Sequence, residues 1–254
     1  MPPSTTVPID RLWPEPAGAV DDASLLETYA FPPDRSWLRM NFIASLDGAV
    51  TREDRSGGLG DAADRRVFDL LRRPAHAVLV GAGTVRAEGY GPMRLHAADE
   101  AWRAAHGLPD QPVFALVTRS LELDPDSTVF TDAPVRPVVY TVDAAPADRR
   151  KALARVADVV AVGETDVDPT RVRDDLSARG LQHIHAEGGP SVFGAFLAAG
   201  AVDELCLTLA PTLEGGDAGR IARSAGATPT AMALAAVLRS GDELLLRYTR
   251  ATGS

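Results

Sequence analysis

The residues best suited to chemistry sit in Glu187-Gly188-Gly189-Pro190-Ser191, where a short apolar strand gives way to a helix. A glycine pair at a strand end permits positive φ and close backbone approach. The helix that follows offers unpaired N–H groups and the positive end of its dipole, the usual means of holding phosphate. Pro190 suits the first helical turn, where an N–H would have no partner. The same run also serves as a plain tight turn. Gly81-Ala82-Gly83-Thr84-Val85-Arg86 ends a second strand but has Arg86 where a third glycine would complete a dinucleotide fingerprint, so it is not one. Val117-Thr118-Arg119-Ser120 ends a third, with hydroxyls and a guanidinium that match a 2′-phosphate; a solvated loop start is the other reading. Met40-Asn41-Phe42-Ile43-Ala44-Ser45-Leu46-Asp47-Gly48 runs from apolar to polar at a fourth, placing Asp47 near any chemistry there.

These turns need a frame of strands and helices. Strands are expected at Trp37 to Ala44, Ala77 to Val80, Val113 to Thr118, Pro137 to Thr141, Val159 to Val162, His183 to Ala186, Glu204 to Leu209 and Glu243 to Thr249. Helices are expected at Asp61 to Arg73, Ala147 to Val156, Pro169 to Arg179 and Ser191 to Ala199, with another following Gly81. Strands alternating with helices predict an α/β fold: a mostly parallel central sheet, covered on both faces, with an antiparallel C-terminal edge. Residues 1 to 36 read as a proline-punctuated N-terminal arm with one helical turn at Ser24 to Tyr29, and 37 to 254 as one domain. Gly89 to Gln111 reads as a long loop, the kind that often carries function.

Composition narrows the classes of partner. With 254 residues, 45% of them hydrophobic, the chain can bury a substantial core. A formal net charge of −9 argues against a nucleic-acid-binding surface. No signal peptide or membrane-length apolar run is visible, which predicts a cytoplasmic protein with no membrane partner. Cys206, the sole cysteine, lies in an apolar run and reads as core. His183 and His185 alternate along one strand, and His76, His96 and His106 lack ligand spacing, so no metal is expected.

Taken in order, Ala44-Ser45-Leu46-Asp47-Gly48, Gly81 through Glu88, Val117 through Ser120, Glu187-Gly188-Gly189-Pro190, Gly200-Ala201-Val202-Asp203-Glu204-Leu205, Ala210-Pro211 and Gly215-Gly216 resemble the reductase domain of the riboflavin-pathway pyrimidine deaminase/reductases, over roughly Trp37 to Arg250. The resemblance implies a dihydrofolate-reductase-like fold, NADPH as hydride donor and a homodimer. It places Ile43, Ala44, Gly81, Thr84, Val85, Glu88 and Ser120, with Thr118 and Arg119, near the cofactor. Gly188, Gly189, Pro190, Ser191 and Val192 would cradle its pyrophosphate. Ser56, Arg72 and Glu187 would face the substrate, 5-amino-6-(5-phosphoribosylamino)uracil, whose ribosyl becomes a ribityl chain. Asp47 and Glu187 are the candidate carboxyl proton sources, with water as the other source. The family's bifunctional members add a zinc deaminase domain with a cysteine signature; a single cysteine predicts a stand-alone reductase here. The chain departs from the family at Glu88-Gly89-Tyr90-Gly91-Pro92-Met93-Arg94, where Arg94 would have to replace the usual phosphate-binding arginine through a reshaped loop. That departure leaves open a pterin reductase on the same fold, and a non-catalytic NADPH sensor is the third reading.

Overall fold

The computed structural model describes residues 7–52, 55–226 and 228–251. Its centre is a ten-stranded sheet in the order β1-β9-β10-β8-β2-β7-β3-β4-β5-β6. The strands are β1 (Asp10–Trp13), β2 (Trp37–Ser45), β3 (Ala77–Gly81), β4 (Val113–Val117), β5 (Val138–Thr141), β6 (Asp158–Ala161), β7 (His183–Ala186), β8 (Glu204–Ala210), β9 (Met232–Ser240) and β10 (Glu243–Arg250). From β8 through β2, β7, β3, β4 and β5 to β6 every pairing is parallel; β8, β10, β9 and β1 pair antiparallel. This is the mostly parallel sheet with an antiparallel edge that the alternation predicts. β3 is buried along its whole length, as a central strand covered on both faces must be.

Helices α1 (Asp22–Thr28) and α2 (Ala62–Arg72) cover the antiparallel side, where Leu25, Val67 and Leu71 meet Cys206, Leu238 and Leu245. Helices α7 (Pro169–Ala178) and α8 (Pro190–Ala198) pack Val172, Leu176, Phe193 and Phe196 against β2, β7 and their neighbours. Helices α3 (Ala82–Glu88), α5 (Thr128–Thr131) and α6 (Ala147–Leu153) lie over the opposite face of the sheet through Val85, Val129, Phe130 and Leu153. Among the described residues no helix is long and apolar enough to cross a membrane.

Three expectations need correction. The arm is more than a strap: Asp10–Trp13 becomes an edge strand on β9, and its helix extends over Asp22–Thr28 with Asp21 as N-cap. The long loop contains helix α4 (Ala97–Ala105), whose Arg103 is fully buried against the carbonyls of Arg73 and Ala75. The connection before β10 contains β9, hidden by the alanine-rich run Met232-Ala233-Leu234-Ala235-Ala236; alanine favours helix, and the sheet pairing overrides that preference.

Candidate active site

β7 ends at Ala186, and the next residues leave the sheet at its carboxyl edge. Gly188 and Gly189 take φ of 118° and 95°, values closed to most side-chain-bearing residues. Pro190 then starts α8, whose N-terminus has no side-chain cap. The neighbouring turn at Gly81 closes against this one, for the Gly81 N–H donates to the Gly188 carbonyl at 3.2 Å. A Cβ on Gly189 would stand 3.4 Å from Thr84 Oγ1, 3.3 Å from Val192 Cγ2 and 3.5 Å from Gly81 Cα. Two helix N-termini, α3 and α8, thus open side by side with their first N–H groups uncapped. An anion with several oxygens suits that arrangement.

Beside the paired turns lies a cleft of about 490 Å³. Its floor is the end of β2, through Asn41, Phe42 and Ile43. One wall is α2, which presents Asp61, Asp64, Arg65, Phe68, Asp69 and Arg72 at helical spacing. Asp61 caps that helix, accepting from the Ala63 N–H at 2.6 Å. The other wall is Thr84 and Glu88 of α3 with Tyr90 and Met93 beyond. Glu88 ties this wall to the turn that precedes α2, accepting from the Ser56 N–H at 2.8 Å and from its hydroxyl at 2.9 Å.

Glu187 sits where the turns meet the cleft. Its side chain is 0% exposed and accepts from both Nε and Nη2 of Arg72, with Nη2 at 2.7 Å from Oε2. The Tyr90 hydroxyl donates to Oε2 at 3.1 Å. Phe68 lies under the Arg72 guanidinium at 4.5 Å. Burial opposes the Arg72 charge, but the adjoining Glu187 carboxylate outweighs it and holds the cation firmly. Burial, reinforced by Glu187, pushes the Tyr90 phenol well above its ordinary value, so it remains a donor. His185 Nε2 lies 3.6 Å from Glu187 Oε1, and burial drives that imidazole well below its ordinary value, leaving it neutral.

The structure therefore brings Ile43, Ser56, Arg72, Thr84, Glu88, Glu187, Gly188, Gly189 and Pro190 to one cleft, with Gly81 and Val192 packed behind the glycine turn. Ala44 is buried beside Ile43, Ser191 is exposed on the first turn of α8, and Val85 faces the core. Thr118, Arg119 and Ser120 end β4 at the same edge but outside the cleft lining. There Thr118 accepts from the Leu121 N–H at 3.0 Å and Arg119 pairs with Asp166 at 2.8 Å. Two expectations fail. Asp47 does not line the cleft; its carboxylate accepts from the Ser45 hydroxyl and from the Gly215 and Glu214 N–H groups at 2.7 and 3.2 Å. Those bonds, the Ser45 hydroxyl foremost, hold it down at about 2, so it is a loop anchor and no acid at neutral pH. Arg94 turns away and donates to the Asp132 carbonyl at 2.8 Å. Sequence reasoning missed the acidic face of α2 and the part played by Tyr90. The i, i+3, i+4, i+7 recurrence of Asp61, Asp64, Arg65 and Phe68 was the signal for that face.

A parallel sheet with a cleft at the carboxyl ends of its central strands, flanked by two open helix N-termini, defines an α/β protein built to hold a phosphorylated ligand at that edge. The chain belongs to the RibD C-terminal domain family, whose model matches residues 36–246. It is 30% identical over 221 residues to the 2,5-diamino-6-ribosylamino-4(3H)-pyrimidinone 5′-phosphate reductase of Methanothermobacter thermautotrophicus, covering 85% of this chain and 98% of that one. It is 29% identical over 182 residues to the riboflavin biosynthesis protein RibD of Bacillus amyloliquefaciens, covering 71% of this chain and 47% of that protein. The crystal structure of a pyrimidine reductase-like protein from Corynebacterium diphtheriae superposes with a TM-score of 0.81 at 29% identity, covering 91% of this chain and 99% of that one.

Proposed function

We propose that this protein carries hydride from NADPH to the sugar carbon of a ribosylamino-pyrimidine 5′-phosphate, converting the ribosyl group to a ribityl chain. The observation that carries this reading is the buried Arg72–Glu187–Tyr90 cluster standing one residue before the glycine pair, so that an anion cradle and a polar ring site share one cleft. The cofactor's pyrophosphate belongs at the α8 N-terminus, over Gly188, Gly189, Ser191 and Val192. Its nicotinamide end would then run past Thr84 and Ile43. Arg119 and Ser120 at the end of β4 would take the 2′-phosphate.

The pyrimidine belongs against α2. Phe68 offers it a ring face, and Asp64 and Asp69 offer acceptors. A 2-amino ring presents N–H donors to such carboxylates; a uracil presents a carbonyl at that corner and would face repulsion. Of the two pyrimidines, the diaminopyrimidinone for which the Methanothermobacter enzyme is named therefore suits this wall better than 5-amino-6-(5-phosphoribosylamino)uracil. Arg65, exposed on the same face, replaces Arg94 as the guanidinium for the 5′-phosphate.

In the open-chain form the sugar carbon is doubly bonded to the amine nitrogen. Held over Gly188, Gly189, Ser191 and Val192, NADPH would supply the hydride that this carbon needs, and the nitrogen would take up a proton. The chain's own task is to hold the two reacting carbons at roughly 3–3.5 Å and exclude stray water. Glu187 already accepts from Arg72 and Tyr90, so it orients the ring and leaves proton delivery to a water at the cleft mouth. On the family resemblance the enzyme works as a homodimer.

Steady-state NADPH oxidation with the diaminopyrimidinone, the uracil and dihydrofolate tests this assignment. Turnover of either pyrimidine, the first preferred, supports it. The withdrawal of Arg94 from the cleft favours a second reading, a pterin reductase, and turnover of dihydrofolate alone would establish that instead. NADPH binding with no oxidation would mark a sensor.

A further inference from the structure

Strand β10 alternates against α2, so Glu243 follows the same face as Leu245 and lies beneath the helix's first turn, 2% exposed. Neither of its carboxyl oxygens receives a hydrogen bond from any described donor. The groups that act on it are the carboxyl of Asp61, close enough to share a hydrogen bond, and that of Asp64.

Among the described residues the surrounding elements supply no cation to it. On β9, Ser240 stands opposite and donates to the Pro8 carbonyl at 2.9 Å, while Arg239 pairs with Asp10. On α2, Arg66 pairs with Asp22, and Arg65 acts on Asp64 from the exposed side. On β8, Thr208 lies against Asp64. A carboxyl buried without a donor and set against the solvent-facing carboxylate of Asp61 is disfavoured as an anion, and a retained proton turns their repulsion into a charge-assisted hydrogen bond.

We propose that Glu243 is a positioning residue: it keeps its proton, donates it in a hydrogen bond to Asp61, and so fixes the N-cap of the helix that carries Asp64, Phe68 and Arg72 into the cleft. Asp61 then has both of its tasks defined, accepting from the Ala63 N–H with one face and from Glu243 with the other. Burial, reinforced by Asp61 and Asp64, pushes Glu243 from its ordinary 4.5 up to about 8. Between those values the folded chain retains a proton that the unfolded chain releases. Stability therefore falls as pH rises through this window and levels off above it. Above about pH 8 the folded carboxyl ionises against Asp61, and the helix end loosens.

The test is thermal unfolding of the full chain from pH 5 to pH 9, comparing wild type with Glu243→Gln, which can donate to Asp61 but never titrates. The variant should match wild type near pH 5 and exceed its Tm by roughly 4 °C or more at pH 8. Parallel pH profiles with the same difference, whatever its sign, would overturn the proposal. Glu243→Ala should lose stability at every pH, whereas an unchanged Tm at pH 5 would remove the donor role. The second measurement rests on the reductase reading: KM for the pyrimidine should rise above pH 8 in wild type and stay flat in Glu243→Gln, with kcat little changed. If the protein turns over no pyrimidine, the thermal comparison still decides the matter.

Discussion

Replacing Glu187 by Gln keeps the volume of the side chain and removes the charge that Arg72 and Tyr90 converge on. Arg72 would then stand partly buried with no counter-charge, and the ring site would lose its fixed acceptor. We expect kcat/KM to fall by about 30- to 1000-fold, the equivalent of ~2–4 kcal/mol, while the NADPH Kd, measured by fluorescence titration, stays within about twofold. Arg119 makes the complementary test on the cofactor side. Among the described residues it is tied to Asp166 alone, in a solvent-exposed pair that contributes little, so it can be redirected to a phosphate. Arg119→Ala should weaken NADPH binding by about 1.5–3 kcal/mol and leave NADH binding nearly unchanged; equal losses would assign the residue elsewhere. At this scale the sequence was legible where a residue's backbone position decides its role, as at Gly188 and Gly189. It misled where rotamer and partner decide: nothing in Asp47-Gly48 announces that Glu214 and Gly215 will return to occupy the carboxylate, or that Arg94 will find the Asp132 carbonyl.

Among the elements, the join between β7 and α8 carries the most weight. Gly189→Ala forces a Cβ into a residue held at φ 95° and within 3.3 to 3.5 Å of Val192, Thr84 and Gly81. Chemical denaturation should show a loss of about 1–2 kcal/mol, and NADPH Kd should rise at least tenfold as the anion cradle distorts. The loop after β8 reinforces this join, since the Arg223 N–H donates to the Pro190 carbonyl at 2.8 Å and packs so closely that Gly194 has no room for a side chain. Helices with a clear apolar face and a cap were readable: α2 with Asp61 before it and α7 with Asp168 before Pro169 match expectation to within a residue or two. Strand β9, an inner strand hairpinned to β10, was masked by its alanine-rich run, and β1 was not readable because it is an edge element whose partner lies more than two hundred residues away in sequence, as Asp10 with Arg239 shows. Local propensity carries no trace of such a partner.

Across the whole molecule, one buried charge network locks the mostly parallel sheet to its antiparallel edge. Glu204 on β8 accepts from Trp37 Nε1 at 2.7 Å and Arg39 Nε at 2.7 Å on β2, and from Arg247 Nε at 2.9 Å on β10. Burial opposes its charge, yet Arg39 and Arg247 hold the carboxyl down from 4.5 to about 2. A depressed carboxyl stabilises the fold fully above its unfolded value and loses that contribution as pH falls from about 4.5 toward 2. Glu204→Ala leaves Arg39 buried without its counter-ion and should destabilise the protein by about 3–5 kcal/mol at pH 7, read by urea unfolding, with a flatter acid limb than wild type. The central claim concerns what this frame delivers: hydride to a sugar carbon held between the glycine turns and Glu187. Incubating the protein with NADPH deuterated at the transferred position of nicotinamide C4 and the diaminopyrimidinone phosphate, then locating the label by mass spectrometry, tests it most directly. The account predicts one deuterium on the ribityl carbon bonded to nitrogen. Label on a ring carbon, or oxidation of NADPH with no label in the pyrimidine product, would contradict it.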